Sequence, residues 1–383
     1  MSSISIKDRG NSARNIRSGQ YRVMIVDDSA VIRGMMSRWL SEDPAIQIVG
    51  TAGNGKIALD NMARYDPEII ILDIEMPVMD GLTALPEFFK INPKVKVLMA
   101  STLTKRNAEI SMKALSLGAS DYVSKPESNR DIASSMSFQE EIISKVINIA
   151  AASRLRNGGK IFRGKTTLVK KDLMPVGNVG KTPEKRRFSP GKVSILAIGS
   201  STGGPQALLA VLRDLGSADV PVIITQHMPP TFTAILAKHL TSATRFDCKE
   251  AEDGDILEKG KVYLAPGDYH MTVVKKSGQD VISLNQGPQE NFCRPSVEPM
   301  FRSVTELYGA KVFAVILTGM GHDGLEASRK LVAAGGNLIA QDEKSSVVWG
   351  MPGAVSTAGL CSGIYPLDEI GGKIKEKLMG LAS

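Results

Sequence analysis

Short apolar runs alternate with amphipathic stretches over most of this 383-residue chain, and the alternation comes in two series. In the first, Val23 to Val26, Ile46 to Val49, Ile69 to Leu72, Val95 to Met99 and Asp121 to Val123 read as strands, with helix-period segments between them. In the second, Val193 to Ile198, Val222 to Thr225, Val312 to Leu317 and Asn337 to Ala340 are clear strands. Helices are predicted over Pro205 to Leu215, Thr231 to Leu240, Val297 to Leu307 and Leu325 to Ala333. Lys261 to Leu264, Met271 to Lys275 and Val281 to Leu284 read as shorter, partly antiparallel pieces. Each series predicts a doubly wound α/β domain with a parallel sheet.

Between the series the periodicity stops. Gly158, Gly159, Gly164, Pro175, Gly177, Gly180 and Pro183 are interleaved with Lys and Arg, which predicts a flexible, extended linker over 154–191. The expected layout is therefore an N-terminal extension at 1–20 with no assigned role, a first domain at 21–153, the linker, and a second domain at 192–383. The linker carries the chain's basicity: Arg154 to Lys192 holds twelve Lys and Arg against two Asp and Glu, more than the whole net charge of +7. The folded parts then lack the basic signature of nucleic-acid binding, and no helix-turn-helix pattern is present. A basic run could instead dock on an acidic partner. Cys248, Cys293 and Cys361 are distant and odd in number, which argues for reduced, mostly packed thiols over a disulfide or zinc framework. No leader pattern and no bilayer-length apolar run is visible, so a cytoplasmic protein without membrane insertion is expected.

Candidate chemistry sits where such sheets place it, just past the carboxyl ends of strands. Asp27 and Asp28 follow the first strand, Asp73 the third, Ser101 and Thr102 the fourth, and Lys125 the fifth. Three carboxylates at one sheet edge repel unless a cation sits among them, and oxygen ligation with open positions suits Mg²⁺. A carboxylate beside that ion can attack a phosphoryl group, and Asp73, closing the most apolar strand, is the candidate. A cis bond at Pro126 would aim the Lys125 ammonium inward. Singly, these Asp residues read as ordinary caps and turn formers; together they point to a phosphorylation site. In the second series, Gly199-Ser200-Ser201-Thr202-Gly203 fits a Gly-x-Ser-x-Gly turn with Ser201 as the exposed nucleophile. A glycine-rich turn that cradles phosphate on its amides, or binds nothing, is the competing reading.

A serine hydroxyl needs a base, itself oriented by a third group. Of four histidines, His239 is expected to face solvent on a helix, His270 to be structural, and His322 to remain a rival near a glycine loop. His227, directly after a strand, is favoured as the base. Asp323 follows another apolar strand within Thr318-Gly319-Met320-Gly321-His322-Asp323-Gly324 and is the orienting candidate; as a helix N-cap it would have an ordinary role too. Amides near Thr202 and Met320 are candidate oxyanion donors.

The first series resembles two-component receiver domains, flavodoxin-like in fold. The likeness rests on Val26-Asp27-Asp28-Ser29, Leu72-Asp73-Ile74-Glu75-Met76-Pro77, Met79-Asp80-Gly81 and Val123-Ser124-Lys125-Pro126. It implies Asp73 as the phosphorylated residue, Asp27 and Asp28 as Mg²⁺ holders with it, Lys125 as a phosphoryl contact and Ser101 as the switch hydroxyl. The second series resembles the Rossmann-like αβα catalytic domain of chemotaxis protein-glutamate methylesterases. It carries Ser201-Thr202-Gly203-Gly204-Pro205, Gln226-His227-Met228-Pro229, Tyr263-Leu264-Ala265-Pro266-Gly267, Arg294-Pro295-Ser296-Val297, Leu317-Thr318-Gly319-Met320-Gly321, Asp323-Gly324, Gln341-Asp342-Glu343 and Gly350-Met351-Pro352. That resemblance implies a Ser201-His227-Asp323 triad without a cofactor. It also implies hydrolysis of glutamate γ-methyl esters on chemoreceptors, with glutamine deamidation beside it, and a histidine kinase as phosphodonor. The alternative is a receiver-controlled protein that binds or regulates without catalysis.

Overall fold

The computed structural model describes residues 19–102, 104–125, 136–162 and 186–381. The first domain contains β1 (Tyr21–Val26), α1 (Ala30–Glu42), β2 (Ile46–Ala52), α2 (Gly55–Tyr65), β3 (Ile69–Asp73), α3 (Gly81–Ile91), β4 (Lys96–Thr102), α4 (Lys105–Ser116), β5 (Asp121–Lys125) and α5 (Met136–Arg156). Its five-stranded sheet runs in the order β2-β1-β3-β4-β5, with every pairing parallel. Parallel strands covered on both faces must be apolar throughout, and β3 is buried from end to end. The helices start where short polar side chains satisfy the first free amides: Ser29, Asn54, Asp80 and Thr104 each cap one. α5 continues through Arg154, whose guanidinium binds Glu68 at 2.6 Å and lies 4.5 Å from the Tyr21 ring centroid. The first basic residues of the expected linker thus belong to the packed domain. Pro126 and most of the linker, 163–185, lie outside the described residues, as does nearly all of the N-terminal extension.

The second domain is built on β6 (Ile195–Ser200), α6 (Gly204–Leu215), β7 (Val222–Gln226), α7 (Phe232–Ala243), β8 (Asp247–Glu250), β9 (Lys261–Leu264), β10 (His270–Lys276), β11 (Gln279–Asn285), α8 (Val297–Tyr308), β12 (Val312–Ile316), α9 (Leu325–Ala333), β13 (Asn337–Gln341), α10 (Met351–Thr357), β14 (Gly363–Tyr365) and α11 (Leu367–Leu378). A seven-stranded sheet in the order β14-β13-β12-β6-β7-β9-β8 is parallel throughout. β10 and β11 form a separate antiparallel hairpin. β9 therefore belongs to the main parallel sheet, whereas the two pieces after it are the antiparallel ones. Strand order reverses at β6, which has β12 on one side and β7 on the other. A crevice opens at the carboxyl ends of strands beside such a reversal.

The two domains meet along α4, β5 and α5 of the first. Tyr122 of β5 stacks on Phe232 of α7 at 4.6 Å between centroids and 10° between planes. Gln206 of α6 donates to the carbonyls of Ala119 at 2.7 Å and Leu115 at 3.3 Å. From α5, Ser144 and Asn148 donate to the Met320 sulfur, each at 3.1 Å, and Arg156 donates to the Ser346 carbonyl. His239 does not simply face solvent: it is half-buried, with Nε2 at 3.4 Å from Ser116 Oγ across this interface.

Candidate functional site

Ser201, His227 and Asp323 stand past the carboxyl ends of β6, β7 and β12, three neighbouring strands. Backbone bonds tie the segments together: the Ser201 amide donates to the Thr318 carbonyl at 3.0 Å, and the His227 amide to the Ser200 carbonyl at 3.1 Å. Gln226, the last residue of β7, is a further organiser. Its Nε2 donates to the carbonyls of Ser201 at 2.9 Å and His227 at 3.0 Å, while its Oε1 accepts from the buried Ser200 hydroxyl at 2.7 Å. Ser200 is thereby committed to structure. Ser201 is half-exposed, and its hydroxyl has no hydrogen-bond partner among the described residues. The turn needs glycine at two points. Gly203 has φ of +78°, and a Cβ on Gly319 would stand 2.9 Å from Ser201 Cβ and 2.4 Å from the Met351 sulfur.

His227 Nε2 donates to Asp323 Oδ2 at 2.7 Å. Asp323 is buried and fully engaged: Oδ1 accepts from Ser296 Oγ at 2.7 Å and Asn291 Nδ2 at 2.8 Å, and Oδ2 also accepts the Val297 amide at 2.6 Å. Val297 is the first residue of α8, so the carboxylate sits on a helix N-terminus, where the dipole favours an anion. Burial alone would raise the Asp323 pKa, but the bonds from His227, Ser296 and Val297 outweigh it and hold the group below the usual carboxylate range. Glu298, one residue on, caps α9 by accepting the amides of Glu326 at 3.0 Å and Ala327 at 2.6 Å. The loop carrying Asp323 is so clamped between two helices.

The second nitrogen of His227, Nδ1, makes no hydrogen bond to the serine hydroxyl. It lies 3.4 Å from Cys293 Sγ. Burial penalises the imidazolium, yet the Cys293 and Asp323 partners prevail and push the His227 pKa up to about 10. Cys293, Asn291 and Ser296 were not singled out from sequence. Only the Arg294-Pro295-Ser296-Val297 string marked that segment, which reaches the site on a loop far from the strand ends. His270 is structural, as expected: buried, its Nδ1 accepts the Ser296 amide at 3.2 Å and its Nε2 donates to the Pro288 carbonyl at 2.9 Å. His322 is half-exposed beside the site, with no side-chain bond among the described residues. The amides of Thr202 and Met320 likewise have no acceptor among the described residues, which leaves them available to a ligand oxygen. The Met320 side chain has a separate role in the domain interface.

In the first domain, Asp27, Asp28 and Asp73 each offer a carboxylate oxygen within 4.8 Å of the others. Lys125 Nζ bridges two of them, at 2.6 Å from Asp27 and 2.7 Å from Asp73. Burial and the neighbouring Asp27 outweigh the lysine and raise the Asp73 pKa to about 6. A hard-oxygen set carrying this much uncompensated charge fits a divalent cation. Asp28, exposed, also lines an adjoining cleft of about 440 Å³ with Glu75, Met76 and Arg106. Ser101 is buried, and its hydroxyl pairs with Ser111 Oγ at 3.2 Å instead of facing the carboxylates.

Comparison with known proteins follows the same division. The CheB methylesterase family profile matches residues 196–374, and the response regulator receiver domain profile matches residues 23–137. The protein-glutamate methylesterase/protein-glutamine glutaminase 1 of Paramagnetospirillum magneticum is 48% identical over 357 residues, spanning 91% of this chain and 94% of that protein. The corresponding protein of Azospirillum brasilense is 50% identical over 365 residues, spanning 93% and 92%. The crystal structure of the Thermotoga maritima CheB methylesterase catalytic domain matches with 38% identity and a TM-score of 0.47, covering 49% of this chain and 100% of that one.

Proposed function

Since the chain belongs to the CheB-type protein-glutamate methylesterases/protein-glutamine glutaminases that carry a receiver domain, we propose that Ser201, His227 and Asp323 are the residues by which this hydrolase cleaves γ-glutamyl methyl esters on chemoreceptors, under control of phosphorylation at Asp73. The observation that carries the reading is the part-buried His227–Asp323 bond of 2.7 Å, set at the sheet edge where the Ser201 hydroxyl has no partner among the described residues.

Ser201 Oγ attacks the ester carbonyl while His227 Nδ1 takes its proton; Asp323, bonded through Nε2, stabilises the imidazolium that forms. The free amides of Thr202 and Met320 receive the negative oxygen. As the C–O bond breaks, the imidazolium returns the proton and methanol leaves. Water, deprotonated by the same nitrogen, then releases glutamate and restores the serine. With a glutamine side chain the same steps expel ammonia, so deamidation needs no further residue. In the arrangement described, Cys293 and Asp323 hold the imidazole in its charged form, so turnover requires it to leave the sulfur, lose that proton and turn Nδ1 to Ser201.

In the receiver domain, Asp73 acts as the phosphoryl acceptor, and Asp27, Asp28 and Asp73 would hold Mg²⁺. When bound, that ion neutralises phosphoryl oxygens during transfer. Lys125 supplies a second positive charge to the same oxygens, and Ser101 leaves Ser111 to meet them. A histidine kinase serves as phosphodonor, and methylated cytoplasmic segments of receptors are the substrate. No helix among the described residues is long and apolar enough to cross a membrane, and a cytoplasmic enzyme meeting such segments accords with that.

The test is methanol release from methylated receptor fragments, with and without a small-molecule phosphodonor and Mg²⁺. Wild-type turnover should rise on phosphorylation, and Ser201→Ala should lose roughly three to six orders of magnitude. Undiminished release by Ser201→Ala would overturn the triad; an unchanged rate in Asp73→Asn on adding the phosphodonor, with wild type responding, is required of the switch.

A further inference from the structure

Cys293 makes a relay that the esterase mechanism does not use. Asp323 fixes His227 through Nε2–H at 2.7 Å, which leaves Nδ1 facing Cys293 Sγ at 3.4 Å. Sulfur, imidazole and buried carboxylate are therefore connected in the order that activates a thiol. Neither of the other two thiols has an imidazole beside it among the described residues. Cys248 and Cys361 are buried, and burial pushes each up to about 12, so they stay protonated and inert. Cys293, in contrast, is half-exposed.

Its loop is also built to hold it there. Asn291 and Phe292 adopt φ of +51° and +62°, a left-handed conformation that is costly for residues with side chains. The turn is closed by reciprocal backbone bonds between Glu290 and Cys293, at 2.9 and 3.2 Å. It is pinned at one end by the Arg302–Glu290 pair at 2.6 Å and in the middle by the Asn291 amide on Asp323 at 2.8 Å. Those restraints fix the sulfur against the imidazole.

We propose that Cys293 is a modification site for hydroperoxides, and that its oxidation shuts the esterase centre by occupying the nitrogen Ser201 needs. The imidazole takes the thiol proton. The thiolate then attacks one peroxide oxygen: an S–O bond forms, the O–O bond breaks, and the leaving hydroxide takes the imidazolium proton and departs as water. Sulfur is oxidised to the sulfenic acid, the peroxide is reduced, and an added thiol reverses the change through a disulfide. The sulfenic acid stays at Nδ1, the nitrogen that must accept the serine proton.

The inactivation half of this inference rests on the esterase reading above, whereas the chemistry of the sulfur does not, and two measurements separate them. The full-length protein is labelled with iodoacetamide and mapped by peptide mass spectrometry, beside a synthetic peptide spanning Pro288 to Glu298. Cys293 should react about tenfold or more faster in the folded protein than in the peptide, and the excess should vanish in His227→Gln. A rate equal to the peptide's overturns the proposal without recourse to any variant. In the second measurement, hydrogen peroxide is followed by dimedone trapping and by methanol release. Dimedone should mark Cys293, with activity falling about fivefold or more and returning with dithiothreitol. Cys293→Ser, compared with its own untreated rate, should resist peroxide. Equal inhibition of Cys293→Ser, or absence of dimedone at Cys293, would also overturn it. Trapping at Cys293 in a protein that releases no methanol would sink the esterase reading while leaving the oxidation site intact.

Discussion

Asp73 is the residue at which burial and charge work most openly against each other. Its pKa is raised from 3.8 to about 6, because loss of solvation and the nearby Asp27 exceed what Lys125 returns. A carboxyl whose folded pKa is raised contributes stability that is fully present below its unfolded pKa and is lost as pH rises through the folded value. The receiver domain should therefore lose up to about 3 kcal/mol between pH 4 and pH 6 from this group alone. Asp73→Asn keeps the shape and removes the charge, so its unfolding midpoint at neutral pH should exceed that of wild type. Mg²⁺ should narrow the gap by stabilising the wild type, and urea unfolding with and without the ion measures both effects. A less stable Asp73→Asn would mean that Lys125 compensates the buried charge fully. Ser201 and Cys293 make the complementary contrast in the other domain, where the serine hydroxyl has no partner among the described residues and the sulfur holds the imidazole.

At the scale of elements, the start of α8 carries more of the site than its sequence discloses. Ser296 caps the helix by accepting the Glu298 amide at 3.2 Å and in the same position donates to Asp323 at 2.7 Å. Ser296→Ala should cost about 1–2 kcal/mol of stability from the lost cap and hydroxyl bond. It should lower kcat more than it raises KM, since in the proposed mechanism Asp323 acts on His227 and not on the substrate. A KM effect with unchanged kcat would place Ser296 in substrate binding instead. The strands were legible where burial on both faces leaves an apolar run, as in Ile69–Leu72 of β3 and in β12, and strand ends then located Asp73 and Asp323, with Ser201 and His227 past β6 and β7. β8, Asp-Cys-Lys-Glu, escaped because an edge strand tolerates polar side chains, and β14 because three residues show no period. Cys293 and Asn291 escaped for a different reason: tertiary packing of a loop, with no local signal, brings them to the histidine.

Across the whole molecule, α4, β5 and α5 of the receiver pack against α6, α7 and the Met320 loop of the second domain, the elements that flank the proposed centre. Met320, next to the Ser201 turn, gives its sulfur to Ser144 and Asn148, and Tyr122 closes on Phe232. Ser101, buried on β4 with its hydroxyl on Ser111 of α4, sits behind this face, so drawing Ser101 toward a phosphoryl group at Asp73 would disturb α4 from within. If docking masks the centre, the closed form need be favoured by only about 1.4 kcal/mol to reduce activity tenfold, and a complete swing would need about 5. Tyr122→Ala removes a stacked pair worth roughly 0.5–1.5 kcal/mol beyond its buried area, enough to shift such a balance. Its basal methanol release should rise severalfold, and phosphorylation should then add less than it does to wild type. The fragment from Lys192 onward should be as fast as phosphorylated wild type or faster. A fragment slower than the intact unphosphorylated chain would mean that the receiver completes the centre and does not cover it, because masking can only lower the rate of the enzyme it masks.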